Sequence, residues 1–301
     1  MNKSLYGAIE AGGTKFICAV ADAHGQTLAS TRIATTNPAD TLAACVDFFR
    51  VQQAAYDGYA GIGIAAFGPL DLHSGSPGYG HILATPKPQW SHTDLIAPFA
   101  GFGCPVNIDT DVNAAALAEA LHGAGRGCDV VVYITVGTGI GGGVSIKGQT
   151  LHGAMHPEMG HIGVRRHAHD RDFAGNCPFH GDCLEGLAWG PAIVARYGAA
   201  LEALPEQHAA FEVVSHYLGQ LAATAILLLS PERLIFGGGV MSNPRMLELV
   251  RRKTAQQLNG YVVNVRGLFL QAIDTLIVLP GLGEHSGITG ALALAKIAAA
   301  A

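Results

Sequence analysis

Short apolar runs alternate along this chain with segments of helical periodicity, the pattern of an α/β protein. Residues 5–10 and 16–22 are apolar runs split by Ala11-Gly12-Gly13-Thr14-Lys15 and read as strand, tight turn, strand. Helical spacing predicts a helix over 41–55, a buried strand over 60–66 and a strand over 106–109 that runs straight into a helix at Asp111. The opening pattern then recurs: a strand over 130–136, the turn Gly137-Thr138-Gly139-Ile140-Gly141, and a strand over 143–146. The two turns lie about 125 residues apart, which points to two related halves. Beyond them the pattern predicts helices over 185–197, 209–229, 244–258 and 286–300, and a strand over 233–236. Residues 155–183 show little periodicity and are rich in His, Cys, Gly and Pro. No low-complexity linker separates the halves, so a compact hinge is expected between them.

Length and composition narrow the class. The 301 residues suit two domains. With 49% hydrophobic and 14% charged residues, there is ample material for a core. A formal net charge of −5 argues against a nucleic-acid partner. No run reaches the ~18 uninterrupted apolar residues of a spanning helix. Residues 1–5 pass into the first strand without the apolar region of a secretory leader. The expectation is a cytoplasmic protein with no membrane partner. Six cysteines at this length do not suggest a disulfide scaffold.

Two glycine turns between strands can aim backbone N–H groups at phosphate oxygens. Gly12, Gly13, Thr14 and Lys15 form the first, and Gly137, Thr138 and Gly139 the second. Each could equally be a plain hairpin turn. Gly237-Gly238-Gly239 adds a third glycine site, and the three together favour a nucleotide. Gly137 to Gly142 fits G-x-G-x-x-G, but a strand follows where the dinucleotide fingerprint needs a helix, and no P-loop motif is present. Asp111 has two readings: an N-cap carboxylate, or a general base at a strand's carboxyl end, where α/β sheets bind ligands.

His161 and Cys177-Pro178-Phe179-His180-Gly181-Asp182-Cys183 supply four ligands of the kinds Zn²⁺ prefers. A redox thiol pair or solvated histidines are the alternatives. With no evident place for an activated water, the zinc is expected to be structural, through His161, Cys177, His180 and Cys183. His152, His156, His167 and His169 lie nearby as substitutes. Glu158 and Glu185 flank the cluster and could grip sugar hydroxyls.

These residues resemble the ROK family of sugar kinases, most closely its zinc-containing bacterial fructokinases. Glu10-Ala11-Gly12-Gly13-Thr14-Lys15-Phe16 is similar to the family's first phosphate motif, with Glu10 where most members carry Asp. Ile134 to Gly141 resembles the second phosphate motif, and Gly237-Gly238-Gly239-Val240-Met241 the adenosine loop. Pro191 stands where that branch touches ATP. Asp111 matches the catalytic base, preceded here by Thr110 in place of the usual sugar-contacting Asn, and Thr110 is kept among the substrate-side positions. Glu158-Met159-Gly160-His161 resembles the E-x-G-H motif, whose Glu binds sugar and whose His belongs to both the sugar side and the zinc site. His180 replaces a thiolate of the usual cysteine motif, as in the fructokinase branch, and Glu185 fills the second sugar-binding position.

The resemblance implies an actin-like, ribonuclease-H-like double α/β fold with a cleft between its halves. It places residues 1–115 with 286–301 in the first domain and 116–285 in the second. It also implies ATP, Mg²⁺ and Zn²⁺, a homodimer, and transfer of the γ-phosphoryl group of ATP to the 6-hydroxyl of fructose with Asp111 as base. The rivals are a ROK kinase for mannose, glucose or an N-acetylated hexosamine, a sugar-responsive repressor, and a non-catalytic sugar or nucleotide binder. The repressor reading lacks an N-terminal DNA-binding segment ahead of residue 5.

Overall fold

A computed structural model describes residues 5–56, 58–261 and 273–301; the expected start at residues 1–4 lies outside them. In chain order the strands and helices are β1 (Leu5–Ala11), β2 (Lys15–Ala21), β3 (Thr27–Ala34), α1 (Pro38–Gln53), β4 (Tyr59–Ala66), β5 (Val106–Thr110), α2 (Asp111–His122), β6 (Val130–Val136), β7 (Ile140–Ile146), β8 (Gln149–Thr150), α3 (Leu184–Ala188), α4 (Gly190–Tyr197), α5 (Ala209–Leu229), β9 (Arg233–Gly237), α6 (Pro244–Leu258), α7 (Ile273–Leu276), β10 (Ile277–Val278) and α8 (Ser286–Ala300). The recurring glycine hairpin belongs to a recurring sheet. One sheet has the order β3-β2-β1-β4-β5, and the other, read from its far edge, β8-β7-β6-β9-β10. In both, an antiparallel hairpin meets a parallel strand: β1 pairs with β2 and β4, and β6 with β7 and β9.

The chain forms two compact units, Met1–Ala118 with Thr150–His156 and Glu284–Ala301, and Glu119–Gln149 with Pro157–Gly283. The sequence reading put residues 150–156 in the second domain. They sit in the first because His156 Nε2 accepts the Leu70 N–H at 3.0 Å and His152 Nε2 lies 3.0 Å from Asp109 Oδ1.

In the first unit the sheet is covered on both faces, so its inner strands are mainly apolar rather than alternating, with Glu10 and Lys15 near their ends. Helix α1 starts three residues earlier than the apolar spacing suggests. Asn37 Oδ1 accepts the Asp40 N–H at 3.0 Å, and Pro38 stands at the first helical position, where a missing N–H costs nothing. Its buried Leu42, Cys45, Val46 and Phe49 follow the i, i+3, i+4, i+7 spacing. Phe49 meets the rings of Tyr59, Phe99 and Phe102 edge-on, which fills that side with aromatics. The opposite face is built of small residues, with Ala8, Ala19 and Ala65 on the strands against Ala114, Ala291 and Leu294. Helix α8 comes so close to β4 that a Cβ on Gly63 would lie 1.9 Å from the Ala291 carbonyl oxygen.

In the second unit, α5 and α6 pack together beside the sheet. Helix α5 has the length and hydropathy of a membrane span, but its Phe211, Val214, Tyr217, Leu218 and Leu221 are buried in the protein's own interior. Glu119 is wholly buried and fixes the loop after β10. Its Oε2 accepts the N–H groups of Ala124 at 2.7 Å and Gly281 at 3.0 Å, and its Oε1 that of Leu282 at 3.0 Å.

Three expectations are corrected. The helix expected over 185–197 is two helices broken at Trp189, whose ψ of 166° is extended. Pro191 has no N–H to continue the ladder, and the break lets the Gly190 N–H reach the Gly137 carbonyl at 2.8 Å. The strand expected from 143 begins at Ile140, which tightens the second glycine turn to three residues. Strand β3 is absent from the sequence reading because, as an edge strand, it exposes or half-exposes every residue and carries no apolar run.

Candidate active site

Strand register brings the first glycine turn and Asp111 to one edge of the first unit's sheet. Ala11 pairs with Ala66, and Ala66 with Thr110, so Gly12 and Asp111 leave the sheet two strand spacings apart, about 10 Å. The Gly12 N–H closes the turn on the Lys15 carbonyl at 3.0 Å. Thr35 braces it, its Oγ1 donating to the Gly12 carbonyl at 2.8 Å and its N–H to the Thr14 carbonyl at 3.0 Å. Thr14 is exposed, while Gly13 and Lys15 are half-buried.

The two readings of Asp111 separate here. The bond across the first turn of α2 is made by Thr110, whose Oγ1 accepts the Asn113 N–H at 3.1 Å, the reach of an N-cap. Asp111 Oδ1 accepts its neighbour's N–H, from Val112 at 2.9 Å. Asp111 is half-buried at the sheet's carboxyl edge. Thr110, carried from the sequence as a substrate-side residue, is 3% exposed and committed to the cap.

Glu10 ends β1 beside this edge. A Cβ on Gly287 would lie 2.5 Å from its Cδ, so the carboxylate nests against the first turn of α8. Burial raises its pKa, opposed by the charge of Lys15 and by an N–H from Ile288. Its Oε2 is buried with no hydrogen-bond partner among the described residues. An orphaned carboxylate oxygen of this kind suits a divalent cation.

Three candidate nucleotide segments meet in the second unit. Thr135 pairs with Gly237, so the turn after β6 and the loop after β9 leave the sheet side by side. The Gly137 N–H bonds the Gly139 carbonyl at 2.8 Å, and Gly190, next to the exposed Pro191, bonds the Gly137 carbonyl. The backbone between Gly137 and Gly239 is equally close: a Cβ on Gly137 would lie 3.9 Å from the Gly239 nitrogen. Gly238 has φ 91°, and a Cβ there would lie 2.4 Å from the Val136 carbonyl oxygen, so only glycine fits. Val240 and Met241, expected to touch ATP, are 6% and 2% exposed and belong to the core. Gly237 is buried as well, which leaves the backbone of Gly238 and Gly239, with Thr138, Gly139 and Pro191, as the open surface.

Glu185 links this turn to the Cys/His cluster. Its Oε2 accepts the Ile140 N–H at 2.8 Å, and its Oε1 lies 4.0 Å from His161 Nε2. Glu158 is solvent-exposed by area, yet the protein around it and the charge of Glu185 push its pKa up to about 7. A dication in the cluster would pull it back down.

The four expected zinc ligands come together, their donor atoms all within 4.8 Å of one another. His161 Nδ1 lies 3.7 Å from Cys177 Sγ and 3.5 Å from Cys183 Sγ, and His180 Nδ1 lies 3.8 Å from Cys177 Sγ. A tetrahedron with Zn–S of ~2.3 Å and Zn–N of ~2.0–2.1 Å has S···N edges of ~3.5–3.6 Å. The donor set therefore fits zinc in chemistry and in size. Both sulfurs converge on one imidazole nitrogen, which a redox thiol pair has no reason to do. The loop is knotted by paired bonds between Cys177 and Gly181, 3.1 Å and 2.9 Å. His152 and His156 are engaged elsewhere and are not substitutes; His167 packs against the rings of His169 and His216.

Residues 6–298 match the model of the ROK family. The chain belongs to the ROK family. Among its relatives within that family, the fructokinase of Zymomonas mobilis is 50% identical over 301 residues, 99% of this chain and 98% of that protein. The fructokinase of Streptococcus mutans is 40% identical, covering 98% of this chain and 99% of its own length. Among solved ROK structures, a glucokinase of Streptomyces griseus in complex with glucose and AMPPNP superposes with a TM-score of 0.72 at 25% identity, over 98% of this chain and all of that one.

Sequence reasoning missed Asp109, and it placed His152 only as a substitute metal ligand. Asp109 is 1% exposed, and its Oδ1 accepts the Thr110 N–H at 2.7 Å and the Asn113 Nδ2–H at 2.9 Å as well as facing His152. The hydrogen bond to Asp109 raises the His152 pKa above its ordinary value. An acidic residue closing an apolar strand, one position before a helix cap, was the available signal.

Proposed function

We propose that this ROK protein is a fructokinase that transfers the γ-phosphoryl group of ATP to the 6-hydroxyl of D-fructose. The observation that carries the reading is 50% identity to a fructokinase across 99% of the chain. The local geometry agrees with it. Asp111, relieved of capping by Thr110, is the general base that orients the attacking hydroxyl and takes its proton. Glu158 and Glu185 accept hydrogen bonds from sugar hydroxyls, and Glu185 also holds the end of the second glycine turn. Gly12, Gly13, Thr14 and Lys15, with Thr138 and Gly139, cradle phosphate oxygens, while Pro191, Gly238 and Gly239 border the adenosine. The chain's contribution is positioning and electrostatics, as in phosphoryl transfer generally.

Glu10 is the carboxylate suited to hold Mg²⁺, which when bound with ATP would neutralise charge on the transferred group. His161, Cys177, His180 and Cys183 would hold a structural zinc, which would fix the ring of His161, whose Nε2 faces Glu185. Six cysteines outside any disulfide, two of them candidate metal ligands, suit a reducing, cytoplasmic setting. A homodimer is the assembly the family likeness suggests, and light scattering on the purified protein tests it.

The deciding experiment is ADP release with Mg-ATP and fructose, mannose, glucose or N-acetylmannosamine. Preference for fructose supports the reading. Preference for an aldohexose keeps the kinase and moves its substrate, and release with none of the four favours a non-catalytic binder.

A further inference from the structure

His152 has no part in the mechanism above, and its place in the first unit comes from one short segment. The chain leaves the second unit after Gln149, joins the first for Thr150–His156, and returns. Within that segment His156 is buried and serves as an acceptor for the Leu70 N–H beyond the end of β4. His152 reaches the end of β5, where its Nε2 lies 3.0 Å from Asp109 Oδ1. The Asp109 side chain is 1% exposed and that of His152 38%, so a buried carboxylate meets a ring that keeps solvent contact.

The other donors to the same oxygen bracket the candidate base. They are the N–H of Thr110, one residue before Asp111, and the side-chain amide of Asn113, two residues after it. Asn113 also gives its backbone N–H to the Thr110 cap. One carboxylate oxygen thus gathers both flanks of Asp111, and His152 is the donor that arrives from outside this turn. A buried carboxylate needs hydrogen-bond donors to remain there, and this oxygen already serves as acceptor to two N–H groups. His152 Nε2 therefore carries the proton.

We propose that His152 is a positioning residue for phosphoryl transfer, holding Asp109 and through it the turn of α2 on which Asp111 stands. The proposal rests on Asp111 as the base. Without the imidazole, Asp109 loses one of the three donors that hold its Oδ1, and the geometry of Asp111 loosens while the sugar-gripping carboxylates of the second unit stay as they are. That predicts a loss in kcat and not in sugar affinity.

The test compares wild type with His152→Ala and His152→Gln, using whichever hexose the wild type turns over best. The readouts are kcat, KM for sugar and for ATP, and thermal midpoint. His152→Ala is expected to lose about tenfold to a hundredfold in kcat, the scale of a slightly misplaced catalytic group, with sugar KM within about twofold. His152→Gln, whose amide can still donate to Asp109, is expected to recover most of that loss. Unchanged kcat in His152→Ala, equal loss in both variants, or a raised sugar KM with kcat intact overturns the proposal; the last would make His152 a sugar contact. Long-range ¹H–¹⁵N spectra of the wild type and of Asp109→Asn read the ring directly. An Nε2–H tautomer that disappears in Asp109→Asn is expected, and an Nδ1–H tautomer in the wild type overturns the proposal whatever the kinetics. A wild type that phosphorylates glucose and not fructose refutes the substrate reading and leaves this test intact.

Discussion

Thr110 and Asp111 are neighbours at the start of one helix; Thr110 caps it, Asp111 is proposed as the base, and a pair of variants can separate the two duties. Thr110→Val removes one hydroxyl at nearly constant volume. It removes the oxygen that accepts the Asn113 N–H at 3.1 Å, at a residue with 0% exposure. Loss of an N-cap oxygen costs about 1–2 kcal/mol. For a chain of this size that is a fall of about 2–6 °C in melting midpoint. Asp111→Asn keeps size and a carbonyl oxygen able to accept from Val112, so its melting midpoint is expected within about 1 °C of wild type. Its turnover should fall about 100-fold to 10,000-fold, the range spanned by a lost general base. The assays are differential scanning fluorimetry and ADP release at saturating sugar. Thr110→Val should melt lower while keeping more turnover than Asp111→Asn. An Asp111→Asn protein that melts lower than Thr110→Val, or that turns over like wild type, refutes the division of labour.

Three further outcomes follow from the geometry. Metal analysis should find about one zinc per chain, and Cys183→Ser should lose it and raise the sugar KM by freeing His161 beside Glu185; a metal-free wild type contradicts the structural-zinc reading. Glu119→Gln puts an amide donor where a buried carboxylate accepts three N–H groups, and urea titration should show a loss of about 2–3 kcal/mol. His152 has a pKa raised in the fold above its ordinary 6.5, so its pairing contributes full stability below pH 6.5 and loses it as pH rises through the folded value. The stability gap between wild type and His152→Gln should therefore narrow from pH 6 upward, and a gap that widens refutes the pairing.

The sequence was most informative where chemistry repeats or clusters. Two glycine turns with like flanking strands announced duplicated sheets, because a tight turn between apolar runs is a local matter. The four candidate metal ligands, which the structure brings together, were readable because such donors seldom gather without cause, and three of them lie within seven residues. What stayed hidden depends on distant contacts. The Asp109–His152 pair spans 43 positions, and no local pattern links its ends. Val240 and Met241 looked like ligand contacts because they continue a glycine motif, but the chain turns them inward after Gly238. The capping of α2 fell to Thr110 because a cap needs extended backbone just outside the helix, and Asp111 already has helical placement.

The seat of α8 governs the order in which the molecule can mature. The second unit is complete once residue 283 has been made, whereas the sheet carrying Asp111 still lacks the helix that covers its small-residue face. Until residues 286–300 leave the ribosome, Gly61 and Gly63 of β4 face no partner, and the alanines beside them stay wet. The half with the Cys/His cluster can therefore fold earlier in synthesis than the half with the candidate base, whose small-residue face waits for residues 286–300. A nascent chain stalled before residue 286 would carry all four candidate metal ligands and yet have no finished sheet beneath Asp111.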